Sequence, residues 1–537
     1  MSDLFDKRSE GASRRDERSM REHNAKKKTK TITIAVVSVV LVAFIAALII
    51  NSTFIRRSVT AITIGGRGFT AAEFDYFYNT SIHEYTEYIN ANMAGFASAL
   101  LPARDRPLAS QFQDSETGTT WADFFVEQAI ERVSAIMRIY NAAIASGFEM
   151  GEADIAELEE ELGFFMTQGE MAVAMSPAMY PTPMSYLQQL FGSSLDENTL
   201  RSVLNLEFTA RAYNRHVFES VVHSEAELEA YYQENRDELD VFVYRELLIR
   251  PADTNPDADP DRFQTGDELA DANERANEEA AEIVAHITQN VATEEDFIAA
   301  ARDYDFLRFF EQDSTLRELQ GQLLDERVSP WLIDDERAHG DIETFEADYG
   351  TYILFFVERD DNNYQMASMR QILILREAPS LDNFPELGEF DPEYQDAIEG
   401  AEAFARARAE MALEAFIAGG ATEQALIDLM PDFSDDNTDG FYENISRFPY
   451  QSESARTMRV VHELENWLFD SARQVGDYQL IRTEAFGFHL MYFTGFGELF
   501  SNFMASDRMR VEHHQSWREG LPEVEASRSW AFFLTHQ

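Results

Sequence analysis

The chain contains no cysteine, which excludes disulfides, thiolate metal sites, a cysteine nucleophile and a lipid-modified cysteine anchor. Positive charge is scarce: 44 lysines and arginines stand against 97 aspartates and glutamates in 537 residues, for a formal net charge of −53. A nucleic-acid partner needs clustered cations to replace the phosphate counterions, so no nucleic acid is expected. The sequence also lacks the HExxH zinc motif, the GxSxG nucleophile elbow, the GxxxxGK(S/T) phosphate loop and the dinucleotide-binding glycine fingerprint. DTNPDADPD, residues 253–261, spaces its carboxylates without the glycine and closing glutamate of an EF-hand, and reads as an acidic surface loop. His513 and His514 are adjacent and point to different faces of a helix. No metal site and no cofactor is read.

What is present is the composition of a folded protein, 45% apolar and 12% aromatic. At roughly one domain per ~150 residues the length implies about three or four units. The first sixty residues differ from the rest. Lys26, Lys27, Lys28 and Lys30 close a basic tail over residues 1–30, and residues 31–55 carry no charge before Arg56 and Arg57. A helix over that uncharged stretch would be about 37 Å long, more than the ~30 Å hydrocarbon layer. The basic flank predicts a cytoplasmic N-terminus, a single-pass membrane anchor and an extracytoplasmic bulk. No small-x-small cleavage site follows, which favours an uncleaved anchor over a signal peptide.

Helical periodicity dominates residues 58–240. AITIGGRGFTAAEF reads as a short strand, a glycine turn and a helix start; WADFFVEQAIERVSAIMRIYNAAIASGF is apolar at three- and four-residue spacing. Ser224 and Glu227 form a capping-box pair ahead of a polar-faced helix. MAVAMSPAMYPTPM, rich in methionine and proline, reads either as a loop with a few buried side chains or as a deformable apolar surface.

From Val241 the chain repeats itself. VYRELLIR answers SMRQILIL, and ATEEDFIAAARDY answers ATEQALIDLMPDF. Trp331, Gly340 and Asp341 match Trp467, Gly476 and Asp477 at one constant offset, and one residue later in register Gly350 matches Gly487. Two divergent copies of one α+β module are expected, over residues 241–360 and 367–497. In the second copy, FGFHLMYF sets His489 in an otherwise apolar strand. A buried imidazole needs partners for both nitrogens, so His489 is either a satisfied core histidine or a site residue.

The residues MRQILI, DGFYENI (Asp439 to Ile445), LENWLF (Leu464 to Phe469), the Gly476–Asp477 turn and FGFHLMYF together resemble the parvulin-type peptidyl-prolyl isomerases. The layout is similar to membrane-tethered foldases of the PrsA and SurA kind. That resemblance implies an α+β fold class with an N-terminal transmembrane helix, a helical SurA-N-like chaperone region, two parvulin-like modules of which the first is degenerate, and a C-terminal helical segment over residues 498–537 that packs back.

It also implies rotation about X-Pro bonds without a cofactor. The proline cup of the second copy would use Val460, Leu464, Phe469 and Phe488. The polar, catalytic wall would use His489, Gln371 and an acid near the glycine turn, Asp435 or its neighbour Asp436, with Asp435 taken first. The family pattern places histidine where Gln371 stands; the first copy has Glu246 and Tyr352 at the two positions. The expected function is an extracytoplasmic foldase with peptidyl-prolyl cis-trans isomerase activity on unfolded or proline-containing exported polypeptides. The alternative is a catalytically silent, membrane-anchored holdase. Oligomeric state is not legible.

Overall fold

The computed structural model describes residues 35–42, 52–250, 266–305, 315–347, 350–377, 379–381, 388, 390–452 and 454–536. Helices and sheets are mixed, in two units: one runs to Val221 and takes in the residues from His513 onward, the other is Val222–Glu512.

The expected fold class is corrected at its N-terminus. Among the described residues no helix is long and apolar enough to cross a membrane. Within the stretch 31–55, helix is described over the eight residues 35–42, which reach about 12 Å, under half the hydrocarbon thickness. A second short helix, Thr53–Ser58, belongs to the first unit. Its Arg56 is buried in an ion pair with Asp75 at 2.9 Å, and Ile55 packs beside Ala531 and Leu534. The remainder of the stretch, the basic tail 1–30 and the acidic run 253–261 lie outside the described residues.

In the first unit, β1 (Thr60–Ile64) and β2 (Arg67–Thr70) form a hairpin over Gly65 and Gly66, whose φ values of 57° and 83° suit glycine. Thr70 and Glu73 make a reciprocal capping box that starts α1 (Ala71–Asn92). α2 (Trp121–Ser146), α3 (Glu152–Met175), α4 (Pro183–Phe191) and α5 (Glu197–Glu219) complete a helical body around Phe74, Phe77, Phe125, Val133 and Leu204. The methionine-rich stretch, residues 171–184, is half loop: α3 runs to Met175, Pro183 opens α4, and residues 176–182 connect them. Met175 is nevertheless 85% exposed. After His513 the chain adds His514, 2.9 Å from Asn214, Trp517 edge-on to Tyr213, and a strand, Ala526–Arg528, that pairs with β1 as Ile62 with Arg528 and Ile64 with Ala526.

The second unit opens with α6 (Glu225–Glu234), started by the Ser224–Glu227 capping box. Two four-stranded antiparallel sheets follow. The first contains β3 (Val241–Ile249), β4 (Thr315–Gln320), β5 (Ile342–Ala347) and β6 (Gly350–Asp360), in the order β4-β3-β6-β5. It carries α7 (Gly266–Asn290), α8 (Glu294–Asp305) and the single turn α9 (Ser329–Leu332). The second sheet contains β7 (Gln365–Leu375), β8 (Phe441–Ile445), β9 (Tyr478–Arg482) and β10 (Gly487–Leu499), in the order β8-β7-β10-β9. With it go α10 (Pro392–Ala418), α11 (Glu423–Phe433) and α12 (His462–Leu468). The strand order is the same in both, and so is the central register: Leu248 faces Tyr352 as Leu373 faces His489.

The residues that recur in the sequence build one corner twice. Arg337 lies over the Trp331 ring at 4.2 Å and Arg473 over Trp467 at 4.1 Å. Each arginine also donates through Nε to its tryptophan's carbonyl, at 3.1 and 2.9 Å. Gly340 and Gly476 turn the chain at φ 93° and 96°. Asp341 and Asp477 each accept a backbone N–H three residues earlier, from Ala338 and Gln474. The corner aims the third strand of each module back along the sheet. Desolvated cation–π contact of this kind contributes about 0.5–2 kcal/mol, and the glycine is required by its backbone angle.

A second shared constraint sits at the start of the closing strands. A Cβ on Gly350 would meet the Ile249 carbonyl oxygen at 2.5 Å, and one on Gly487 would meet that of Ile374 at 2.5 Å. Gly487 also has φ 135°. Gly487→Ala is expected to destabilise the second unit by about 1–3 kcal/mol, because strain and overlap add. A thermal or denaturant unfolding midpoint equal to that of the parent chain would refute this account.

Candidate functional site

The site lies on one face of β7 and β10. Successive strand residues point to opposite faces, so Ile372, Ile374, Phe488 and Leu490 pack into the core under α10 and α11. Met369, Gln371, Leu373 and His489 point the other way, where they line a cavity of about 320 Å³. Val460, Val461 and Leu464 supply an apolar wall ahead of and within α12. Met458, Arg459, Phe486, Tyr442 and Asp436 close the rest. Phe486 is 45% exposed and its ring stands edge-on to the His489 imidazole at 6.1 Å.

His489 is buried, and both ring nitrogens have partners: Nδ1 is 2.8 Å from Gln371 Oε1 and Nε2 is 3.0 Å from Thr483 Oγ1. Gln371 is diagonal to His489 across the strand pair, and its length spans that gap. Its amide nitrogen donates to Asp436 Oδ2 in a long 3.5 Å bond. Asp436 also accepts from the Tyr442 hydroxyl, and from the Thr438 amide and hydroxyl at 3.0 and 2.9 Å. Burial pushes the Asp436 pKa up, but the hydrogen bonds from Tyr442 and Thr438 outweigh it and hold the group below the usual carboxylate value.

These partners dictate the protonation pattern. An ionised carboxylate only accepts, so Gln371 turns its amide N–H toward Asp436 and its carbonyl toward His489. Nδ1 must then carry the imidazole proton, and Nε2 must accept from Thr483. Burial pulls the His489 pKa down to about 4, with the carboxylates of Glu463 and Asp436 offsetting only part of the effect. The imidazole is therefore neutral near pH 7.

Among the residues expected from the sequence, His489, Gln371, Val460 and Leu464 meet at the cavity. Asp435 does not join them. Its carboxylate accepts from the Leu375 amide at 2.9 Å and pairs with Arg408 at 2.7 Å, tying the loop after α11 to β7. Its neighbour Asp436 holds the position near Gln371. Phe488 faces the core under α10, because a residue next to His489 in a strand cannot share its face. Phe469 ends α12 and packs edge-on against Tyr364 at 5.6 Å. Sequence reasoning missed Met369, Leu373, Tyr442, Met458, Arg459, Val461 and Phe486, which line the cavity, and Thr483, which bonds His489. Period-two alternation from Gln371 would have found Met369; Thr483 and Phe486 sit in a turn with no local signal.

At the aligned positions of the first sheet, Glu246 accepts from Arg317 at 3.0 Å and Arg327 lies 5.5 Å from the Tyr352 ring. Charge pairing there replaces the imidazole, amide and carboxylate series.

No protein-family model matches the chain. No curated protein matches it either. Among solved structures, the crystal structure of PrsA from Bacillus subtilis is similar over 56% of this chain and 93% of that one, at 11% identity and a TM-score of 0.15. A score of that size is too low to argue from.

The depressed His489 pKa has a sign. In the unfolded chain a histidine takes up its proton near pH 6.5, whereas in the fold it does so only near 4. The contribution of a neutral, buried His489 is full above pH 6.5 and is lost as the pH falls through about 4. In NMR titration the His489 ring is expected to stay neutral near pH 6.5, where the unfolded chain's histidines take up their proton, and His489→Gln should flatten the loss of stability between those pH values. Protonation of His489 near pH 6.5 would overturn the assignment.

Proposed function

We propose that the second module is a peptidyl-prolyl cis-trans isomerase acting on unfolded, proline-containing polypeptides. The observation that carries this reading is the half-apolar, half-polar cavity. Val460, Val461, Leu464, Met369 and Met458 offer a cup for a pyrrolidine ring, and the Asp436, Gln371 and His489 series forms its polar wall. Rotation about an X-Pro bond meets a barrier of about 20 kcal/mol from amide resonance. No bond to a nucleophile or metal is needed. A site lowers the barrier by holding the ring, excluding water and matching the twisted amide better than the planar one.

His489 acts here by position. With Nδ1 and Nε2 both engaged and the ring neutral, it transfers no proton; it fixes the shape and polarity of the wall. Tyr442, whose hydroxyl already donates to Asp436, is held beside it.

A second reading is favoured by the first unit. A cavity of about 730 Å³ there is lined by Tyr76, Phe164, Phe165, Tyr186, Leu190 and Phe208, and Phe164 and Met171 are exposed. Such a surface suits holding an unfolded chain without turnover.

The two readings separate in a proline-peptide isomerisation assay run beside an aggregation-suppression assay. The chain is expected to accelerate isomerisation, and His489→Ala to lower kcat/KM about tenfold or more, equivalent to ~1.4 kcal/mol of transition-state stabilisation. Asp435→Asn should cost about 1 kcal/mol of stability while leaving turnover near the parent value, since its bonds lie outside the cavity. Absence of any acceleration with aggregation suppression intact would leave the holdase reading.

A further inference from the structure

Resting on the isomerase reading, we propose that the cavity selects proline segments that carry a basic side chain next to the proline. The argument is the imbalance of charge around it. Asp436 is the carboxylate lining the cavity, and its hydrogen-bond partners, Tyr442, Thr438 and Gln371, are all neutral. Among the described residues no cation pairs with it.

The one guanidinium lining the same cavity is Arg459, and its charge is already committed. Both terminal nitrogens of Arg459 meet the Glu318 carboxylate, one of them at 3.0 Å, and its Nε lies 3.5 Å from Glu465. Arg447 adds a further cation 3.8 Å from Glu465, but Asp360 faces it at 3.9 Å. Glu463 acts electrostatically on His489 from the α12 side. Across this chain of contacts the carboxylates outnumber the guanidiniums. An incoming lysine or arginine finds an unpaired carboxylate, and an incoming glutamate finds none of the arginine charge free.

Glu318 lies on β4, in the first sheet. The copy without the imidazole series thus supplies the group that neutralises Arg459 at the lip of the other copy's cavity. This gives the first module a specificity-determining part in the reaction, through Arg459 as a positioned residue.

The test uses the full chain and short peptides with lysine, leucine or glutamate before the proline, and reads affinity and isomerisation rate separately. Affinity and kcat/KM are expected to fall in the order lysine, leucine, glutamate. The lysine-to-glutamate ratio should be about tenfold at low ionic strength and shrink as salt screens it. Glu318→Gln should return part of the Arg459 charge to the lip and lower that ratio, while a merely structural role for Glu318 would lower all three rates together. Equal or reversed preference overturns the selection even if all peptides are isomerised. The expected order of affinity without turnover overturns the isomerase reading and keeps the selection. Failure of every peptide to bind overturns both.

Discussion

One negative charge sets the direction of every hydrogen bond in the cavity wall. Because the Asp436 carboxylate accepts and cannot donate, it orients the Gln371 amide, which places the proton on Nδ1 of His489 and leaves Nε2 to receive the Thr483 hydroxyl. Reversing any one bond would leave two acceptors or two donors facing each other in a buried space, at a cost of about 1–3 kcal/mol. The glutamine therefore does the work of a linking group with a fixed sense. It carries polarity from a surface loop to a ring inside the sheet. Strand geometry makes this practicable, since β7 and β10 place the amide and the imidazole on one face at diagonal positions.

What the two modules share is not the site but the frame. The tryptophan–arginine corner and the glycine pressed on a carbonyl recur with nearly the same distances. The first is a ring-and-guanidinium contact and the second a backbone requirement, and each is met by few residue types. Gln371 and His489 have no such hold on the fold, and the first sheet is built with Glu246 and Tyr352 at their places. Loss of the buried polar series there is accommodated by new ion pairing at the surface, with Arg317 beside Glu246.

These differences explain which features could be read from the sequence. The Ser224–Glu227 box marks a helix start because a side chain three residues away satisfies a specific N–H. The recurring tryptophan, glycine and aspartate are visible because each meets a specific demand of the corner: a ring under the arginine, a positive φ, and a carboxylate that accepts a backbone N–H. Choosing between Asp435 and Asp436 was beyond sequence reasoning: the two differ only in which way the loop turns, and Arg408 on a distant part of α10 decides it. Phe488 is the opposite case, since alternation alone rules it out of the cavity once His489 is placed. The uncharged N-terminal stretch shows the limit of composition. Length without charge fits a membrane span, yet its last residues enter a short helix whose arginine is paired inside a folded unit.

The pairing of Ala526–Arg528 with β1 makes the first unit discontinuous along the chain. Its strand order places β1 in the centre, so one edge of β1 is covered only by residues that come from the far end. During synthesis the second unit, being contiguous, can complete its sheets while that edge is still open. The helical unit is thus begun first and finished last, and an unpaired strand edge is the template by which chains join wrongly. Translation order exposes the protein to mispairing throughout the making of its second unit.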